Sequence, residues 1–351
     1  MQGIIVLYAN CNTWIVGWGG GMTAGNVLLL SLLAAAAPVA LYVGLIYWAD
    51  RYEKEPWWLL SAAFLWGAIP AAILALIFNT LLSAPFYLLL DSGPAELVSG
   101  GLIAPIIEET AKALILLLIL FLWRHELDSP LDGLIYGAMV GMGFAMVENV
   151  LYYVTAFEEG GQAVWNGTVV MRGVVFGLSH ALYTSLTGLG IAAARLSPSR
   201  PVRYLAPLLG LGMAIALHAL HNVAMFTNTP LGLLAGLTFD WGGVTLTAVI
   251  IVLALYQERQ WMRRYLADEV ALGTLTADEY ELVRSAAGRN RRRLGLLLRE
   301  GPGAWRRSGR RYRECSELAY YKRHHAIFGD EPSRAAAERL RSSLSGGSNY
   351  G

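Results

Sequence analysis

The chain has 351 residues, of which 55% are hydrophobic and 15% charged, and its mean hydropathy is +0.45. Soluble chains carry nearer a quarter charged residues, so the composition excludes an ordinary pair of soluble domains. The net charge of +1 conceals an asymmetry. From Gln257 onward 19 Lys and Arg face 12 Asp and Glu, leaving 8 bases and 14 acids of the chain's 27 and 26 for the first 256 residues. This is the pattern of a membrane body joined to a basic, solvated tail. Cys11 and Cys315 lie at opposite ends of the chain, which offers neither a disulfide framework nor a thiolate metal site.

In chain order, the opening stretch 4–18 is apolar but short for a crossing, and residues 1–26 are expected to form an extracytoplasmic or interfacial segment. They lack the positive region and small-residue cleavage pattern of a signal peptide. Seven stretches, 27–49, 59–80, 98–123, 131–156, 169–194, 204–226 and 231–256, are each long enough to span about 30 Å of hydrocarbon as a helix. The expectation is therefore an all-α, polytopic transmembrane bundle over 27–256. Between the first two spans, Asp50 to Trp58 reads as a charged turn with aromatic anchors for a membrane surface. Arg51, Lys54, Arg124, Arg195, Arg200 and Arg203 follow alternate spans, and the intervening loops hold no Lys or Arg. That alternation predicts a multi-pass protein of the cell membrane with its N-terminus outside and its tail in the cytoplasm.

Residues 257–351 are expected to form short helices. Thr276 and Glu279 make a capping-box pattern ahead of a run from Tyr280 to Leu298, and the segment after Asp330 is polar and small enough to be disordered. The Arg289–Arg293 cluster reads as a solvated face beside the membrane rather than a nucleic-acid site.

Ionisable side chains inside the spans carry the functional argument, because a charge at mid-bilayer costs on the order of 2.5–3.5 kcal/mol even on mild scales. Glu108, Glu109 and Lys112 lie in the third span, Glu148 in the fourth, His180 in the fifth, and His218 and His221 in the sixth. Counted from the cytoplasmic end of each span, these groups fall in one layer roughly 20–26 Å deep. Glu108 and Lys112 share a helix face, as do Phe144 and Glu148, and as do His218, His221 and Asn222. Arg172 is expected to snorkel to the outer interface, and Asp240, near a span end, needs no function.

Two adjacent carboxylates in a low dielectric cannot both ionise cheaply, and one so tuned suits a general base for water. Imidazoles and an amide across the cavity can donate to an oxyanion. Ser179 beside His180 is a poor dyad, since helix neighbours diverge by about 100°, and the HExxH zinc pattern is absent. The reading is hydrolysis by activated water, with no cofactor expected and a Glu/His metal site left open.

The EExxK of Glu108–Lys112, the FxxxE of Phe144–Glu148, His180, and the HxxxN of His218–Asn222 resemble the PrsW family of glutamic-type intramembrane proteases. That family sits in a wider group with CAAX prenyl endopeptidases. The likeness covers roughly residues 30–256. It implies a protease for single-span or membrane-anchored protein substrates, such as anti-sigma factors. Glu108 or Glu109 would deprotonate the water, Glu148 or His180 would assist, and His218 and Asn222 would hold the oxyanion. Lys112, Phe144 and His221 would support them. Rival readings are a proton-coupled transporter, whose relay also needs buried Glu and His, a non-catalytic assembly subunit, and a prenyl peptidase.

Overall fold

A computed structural model describes residues 23–50, 52 and 54–346. The stretch 4–18, Cys11, Arg51 and the last residues of the tail lie outside them. The described chain is helical, with no strand among these residues, and it divides into two units. The first takes in the chain up to Ala49 and Pro56–Val249; the second takes in Asp50–Glu55 and Ile250–Gly351.

In the first unit, α1 (Ala24–Ala49) is followed by α2 (Trp57–Trp66), which runs through a π-helical turn at Gly67–Ala71 into α3 (Ala72–Leu89). Next come α4 (Ser92–Val98), a π turn at Ser99–Ile103 and α5 (Ala104–Leu122), which carries Glu108, Glu109 and Lys112. Helix α6 (Pro130–Val169) starts at a full capping box: Ser129 Oγ accepts from the Asp132 amide, and the Asp132 carboxylate accepts from the Ser129 amide. It breaks at Gly160 and Gly161, where Gly161 takes a φ of +63° that disfavours any other residue. A π turn (Val170–Val175) and a short non-helical corner precede α7 (Ser179–Leu196), so the expected continuous span 169–194 is interrupted just before His180. Helix α8 (Arg200–Phe226) follows, then α9 (Pro230–Tyr265), whose residues from Ile250 onward belong to the second unit.

Among the described residues, five helical runs are long and apolar enough to cross a membrane: Ala24–Ala49, Trp57–Leu89, Pro130–Leu196, Arg200–Phe226 and Pro230–Ala271. The run Pro130–Leu196 holds two of the expected spans. The expected span 98–123 falls in the Ser99–Ile103 π turn and α5, whose three charged side chains within about one turn set it apart. Leu33, Leu41, Leu81, Leu208 and Leu253 are more than half exposed, as lipid-facing positions are.

Helix α7 lies at the centre of this unit, packed along α6 and α8 and touching α5. Small residues allow the approach. A Cβ on Gly133, Gly137 or Gly141 would fall within 2.4 Å of the carbonyls of Gly188, Thr184 or His180. This glycine stripe therefore sets the register of α7, and of His180 and Thr184, against α6.

The second unit has its own core of Tyr52, Met262, Leu266, Val283, Leu318 and Leu344. Its helices after α9 are α10 (Ala267–Ala271), α11 (Ala277–Val283), α12 (Ala286–Glu300), α13 (Pro302–Phe328) and α14 (Glu331–Gly346). The Thr276–Glu279 capping box forms, but the helix it starts ends at Arg284, because Ser285 caps a new helix by accepting from the Gly288 amide. The expectation of disorder after Asp330 is corrected by α14. Asp330 accepts from the Ser333 amide at its start, Leu344 is fully buried, and Arg341 pairs with Glu269. Composition alone missed these tertiary partners.

Candidate active site

Helix α5 enters the bundle through the Ser99–Ile103 π turn, and its buried side presents Glu108, Glu109 and Lys112. Lys112 is fully buried. Its ammonium donates to Glu109 Oε1 at 2.8 Å and to His180 Nδ1 at 3.1 Å, and it lies 3.8 Å from the Phe144 ring centroid. A buried ammonium without such partners would be prohibitively costly.

Around this lysine runs a chain of alternating charge and imidazole. On one side, His180 Nε2 meets Glu148 Oε2 at 2.7 Å, and Arg172 donates to the same oxygen at 2.6 Å. On the other, Glu109 Oε1 meets His218 Nδ1 at 3.0 Å, while Thr184 donates to Oε2 at 3.0 Å. The His180 and His218 rings stand edge to face with centroids 5.1 Å apart. With Glu109 on Nδ1, the free nitrogen of His218 is Nε2, an acceptor in the neutral ring and a donor in the imidazolium.

Glu108 differs from the other two carboxylates. Its Oε1 accepts from Asn79 at 3.3 Å. Its Oε2 is buried with no hydrogen-bond partner among the described residues, 3.7 Å from Lys112 Nζ and 3.8 Å from His218 Nε2. Buried polar atoms are rarely left so.

The structure thus brings together Glu108, Glu109, Lys112, Phe144, Glu148, His180 and His218. Asn222 stands apart from these contacts: its amide donates to the Gly100 carbonyl at 2.7 Å, tying α8 to the π turn ahead of the glutamates. His221 faces Asp240, with Nδ1 2.8 Å from Oδ2. Two expectations are corrected. Arg172 does not snorkel, because the π turn folds it back onto α6, where it holds Glu148 and donates to Asn149 at 2.9 Å. Asp240 is 3% exposed and accepts from Ser179 and Tyr183. Asn79 and Thr184 also escaped the sequence reading, since amides and hydroxyls are unremarkable in apolar helices.

The Ser179–His221–Asp240 grouping is not a hydrolase triad, because the Ser179 hydroxyl donates to Asp240 itself, at 2.5 Å. Glu108, His180 and His218, by contrast, each place one ligand atom within 4.8 Å of the others. One carboxylate and two imidazoles are the donor chemistry of a catalytic zinc site.

The sequence model of a family described as "PrsW family intramembrane metalloprotease" matches residues 55–256, more than half of the chain. The chain belongs to the PrsW family. Proteins named Protease PrsW are its relatives. That of Geobacillus kaustophilus is 29% identical over 181 residues, covering 50% of this chain and 72% of the relative. That of Clostridioides difficile is 26% identical over 222 residues, 63% and 85% of the two chains. That of Shouchella clausii is 30% identical over 191 residues, 53% and 79%. No solved structure matches the chain. The protein is accordingly a multi-pass membrane protein and an intramembrane protease, as the motifs implied. The matched segment contains every residue of the cluster. The family description names a metalloprotease, whereas the sequence motifs lead to the expectation of glutamate-activated water.

Proposed function

We propose that the protein hydrolyses a peptide bond of a single-span or membrane-anchored protein substrate with water activated by Glu108. The observation that carries this reading is the buried, unbonded Oε2 of Glu108 facing His218 Nε2 at 3.8 Å. A single water can bond both atoms across that separation. Glu109 has partners on both oxygens and Glu148 is paired through Oε2 with Arg172 and His180, whereas Glu108 is the carboxylate with a buried oxygen left unbonded.

In this reading Glu108 takes a proton from the water as its oxygen adds to the scissile carbonyl. His218, held through Nδ1 by Glu109, donates from Nε2 as the imidazolium to the developing oxyanion. The second N–H of Asn222, beyond the one given to Gly100, is the other donor on the same face of α8. Collapse of the intermediate breaks the C–N bond, and Glu108 returns its proton to the departing amine. Glu148 orients His180, which together with Glu109 holds Lys112, and the lysine supplies fixed positive charge. A substrate of the anti-sigma-factor type and an outside N-terminus complete the proposal.

A second reading has its own support in the donor set Glu108, His180 and His218, which fits a divalent cation by chemistry and proximity. Such an ion would polarise the carbonyl and acidify water. Opposing it, Lys112 and Glu148 engage both nitrogens of His180, so His180 would have to release one of them, and the ammonium would repel the ion. The test is incubation of the purified protein in lipid with a panel of single-span peptides, followed by mass spectrometry, with and without strong chelation. Cleavage that survives chelation supports glutamate-activated water; cleavage lost on chelation and restored by zinc replaces it with the metal reading. Proton flux without peptide products would replace both with a transporter.

A further inference from the structure

A second buried polar group centres on Asp240 of α9, in a helix otherwise apolar enough to cross a membrane. Its carboxylate accepts from Ser179 Oγ at 2.5 Å on Oδ2 and from Tyr183 Oη at 2.7 Å on Oδ1, and His221 Nδ1 lies 2.8 Å from Oδ2. Each of these three partners adjoins a histidine of the carboxylate cluster. Ser179 is the residue before His180 at the start of α7. Tyr183, one turn on, stacks over the His218 ring with centroids 4.9 Å apart and planes at 20°, and stands edge-on to His180 at 6.0 Å. His221 is one turn from His218 on α8, and its ring is wedged edge-on against Phe176 at 4.8 Å.

We infer that Asp240 is a positioning residue that fixes the ring planes of His180 and His218 by anchoring Ser179, Tyr183 and His221 from a third helix. This inference rests on the proposed role of the cluster as the active centre. The physical case is the expense of burying a carboxylate, which is 3% exposed here, combined with where its contacts go. A tie made only to hold helices together could bond any polar side chains on α7 and α8. Its two hydrogen bonds instead go to a residue next to one site histidine and to a phenol stacked on the other, and its remaining close contact is with an imidazole one turn from that second histidine. Imidazole orientation matters because a misplacement of about 1 Å at a reacting group can cost on the order of a hundredfold in rate.

The experiment compares full-length wild type, Asp240→Ala, Asp240→Asn, Tyr183→Phe and Glu108→Gln in lipid. The substrate is a synthetic single-span peptide that the wild type cleaves, and the His218 ring is followed by nitrogen NMR. Asp240→Ala is expected to lose about tenfold to hundredfold in kcat with KM nearly unchanged. Asp240→Asn should recover part of that loss, because its carbonyl oxygen still accepts from Tyr183. Tyr183→Phe keeps the stacked ring but frees it from Asp240, so it should lower kcat and shift the His218 resonances even if Asp240→Ala fails to fold. Wild-type kcat in Asp240→Ala beside an inactive Glu108→Gln would overturn the positioning role and leave the active centre standing. An unchanged His218 signal and rate in Tyr183→Phe would overturn it as well. Full activity in Glu108→Gln would remove the reading on which it rests.

Discussion

Replacing Gly141 with alanine would press a methyl group into the backbone of α7 at His180. The added Cβ would lie 2.2 Å from the His180 carbonyl oxygen, 2.6 Å from its carbon and 2.8 Å from Ala181 Cα. Ordinary contact begins near 3.4 Å, and none of these atoms belongs to a flexible side chain that could turn aside. Helix α7 must therefore retreat by about 1.2 Å at the residue that carries the site imidazole. That movement would stretch the 2.7 Å contact between His180 Nε2 and Glu148 beyond hydrogen-bond length. Overpacking of this kind costs about 1–3 kcal/mol in stability, while about 1 Å of misplacement can lower a rate on the order of a hundredfold. The expected outcome for Gly141→Ala is a folded protein with a modestly lowered melting temperature and a rate of peptide cleavage in lipid reduced about a hundredfold. Gly212→Ala, whose Cβ would meet nothing within 4 Å, is the control and should behave as wild type. Near-wild-type cleavage by Gly141→Ala would refute the reasoning, because it would show that catalysis tolerates displacement of His180.

Two further outcomes follow. Asn222→Ala should slow cleavage by about 10²–10³ with little change in KM, as the loss of an oxyanion donor does; steady-state kinetics on a single-span peptide checks this, and a change confined to KM contradicts it. In the second unit, burial opposes ionisation of Glu269, but hydrogen bonds from Arg341, Lys322 and Thr274 outweigh it and hold the carboxyl at about 2, below its ordinary 4.5. A lowered folded value means a contribution that is complete above about pH 4.5 and lost as pH falls towards 2. Limited proteolysis should therefore find the tail more susceptible as the pH is taken down through this window, and Glu269→Gln should make the susceptibility less dependent on pH.

The sequence disclosed the cluster wherever an ionisable side chain stood in an apolar helix, because nothing but a partner makes such a residue tolerable. Glu108, Glu109, Lys112, Glu148, His180 and His218 were all found in this way, and the structure joins them. It did not disclose Asn79 or Thr184, whose amide and hydroxyl are cheap enough in a helix to raise no question. Arg172 and Asp240 were misplaced for a different reason: apolar stretches show that a chain crosses, but not where a helix breaks. The corner at Phe176–Leu178 and the π turn before it fold Arg172 inward onto Glu148, and Asp240 lies where α9 meets the opening residues of α7. In the tail, Arg284 and Ser285 end one helix and begin the next, and α14 is held by Glu269, far away in sequence. Such tertiary partners are invisible to composition.

The proposed mechanism stands on Glu108 being the base that activates water. Glu108→Gln keeps the size of the side chain and an oxygen able to accept from Asn79, but removes basicity at the unbonded position. The most direct measurement is turnover of a single-span peptide by this variant in lipid, with folding verified by its melting temperature. Activity close to background in a protein that melts like wild type is the expected outcome; cleavage at near the wild-type rate would show that another group activates the water.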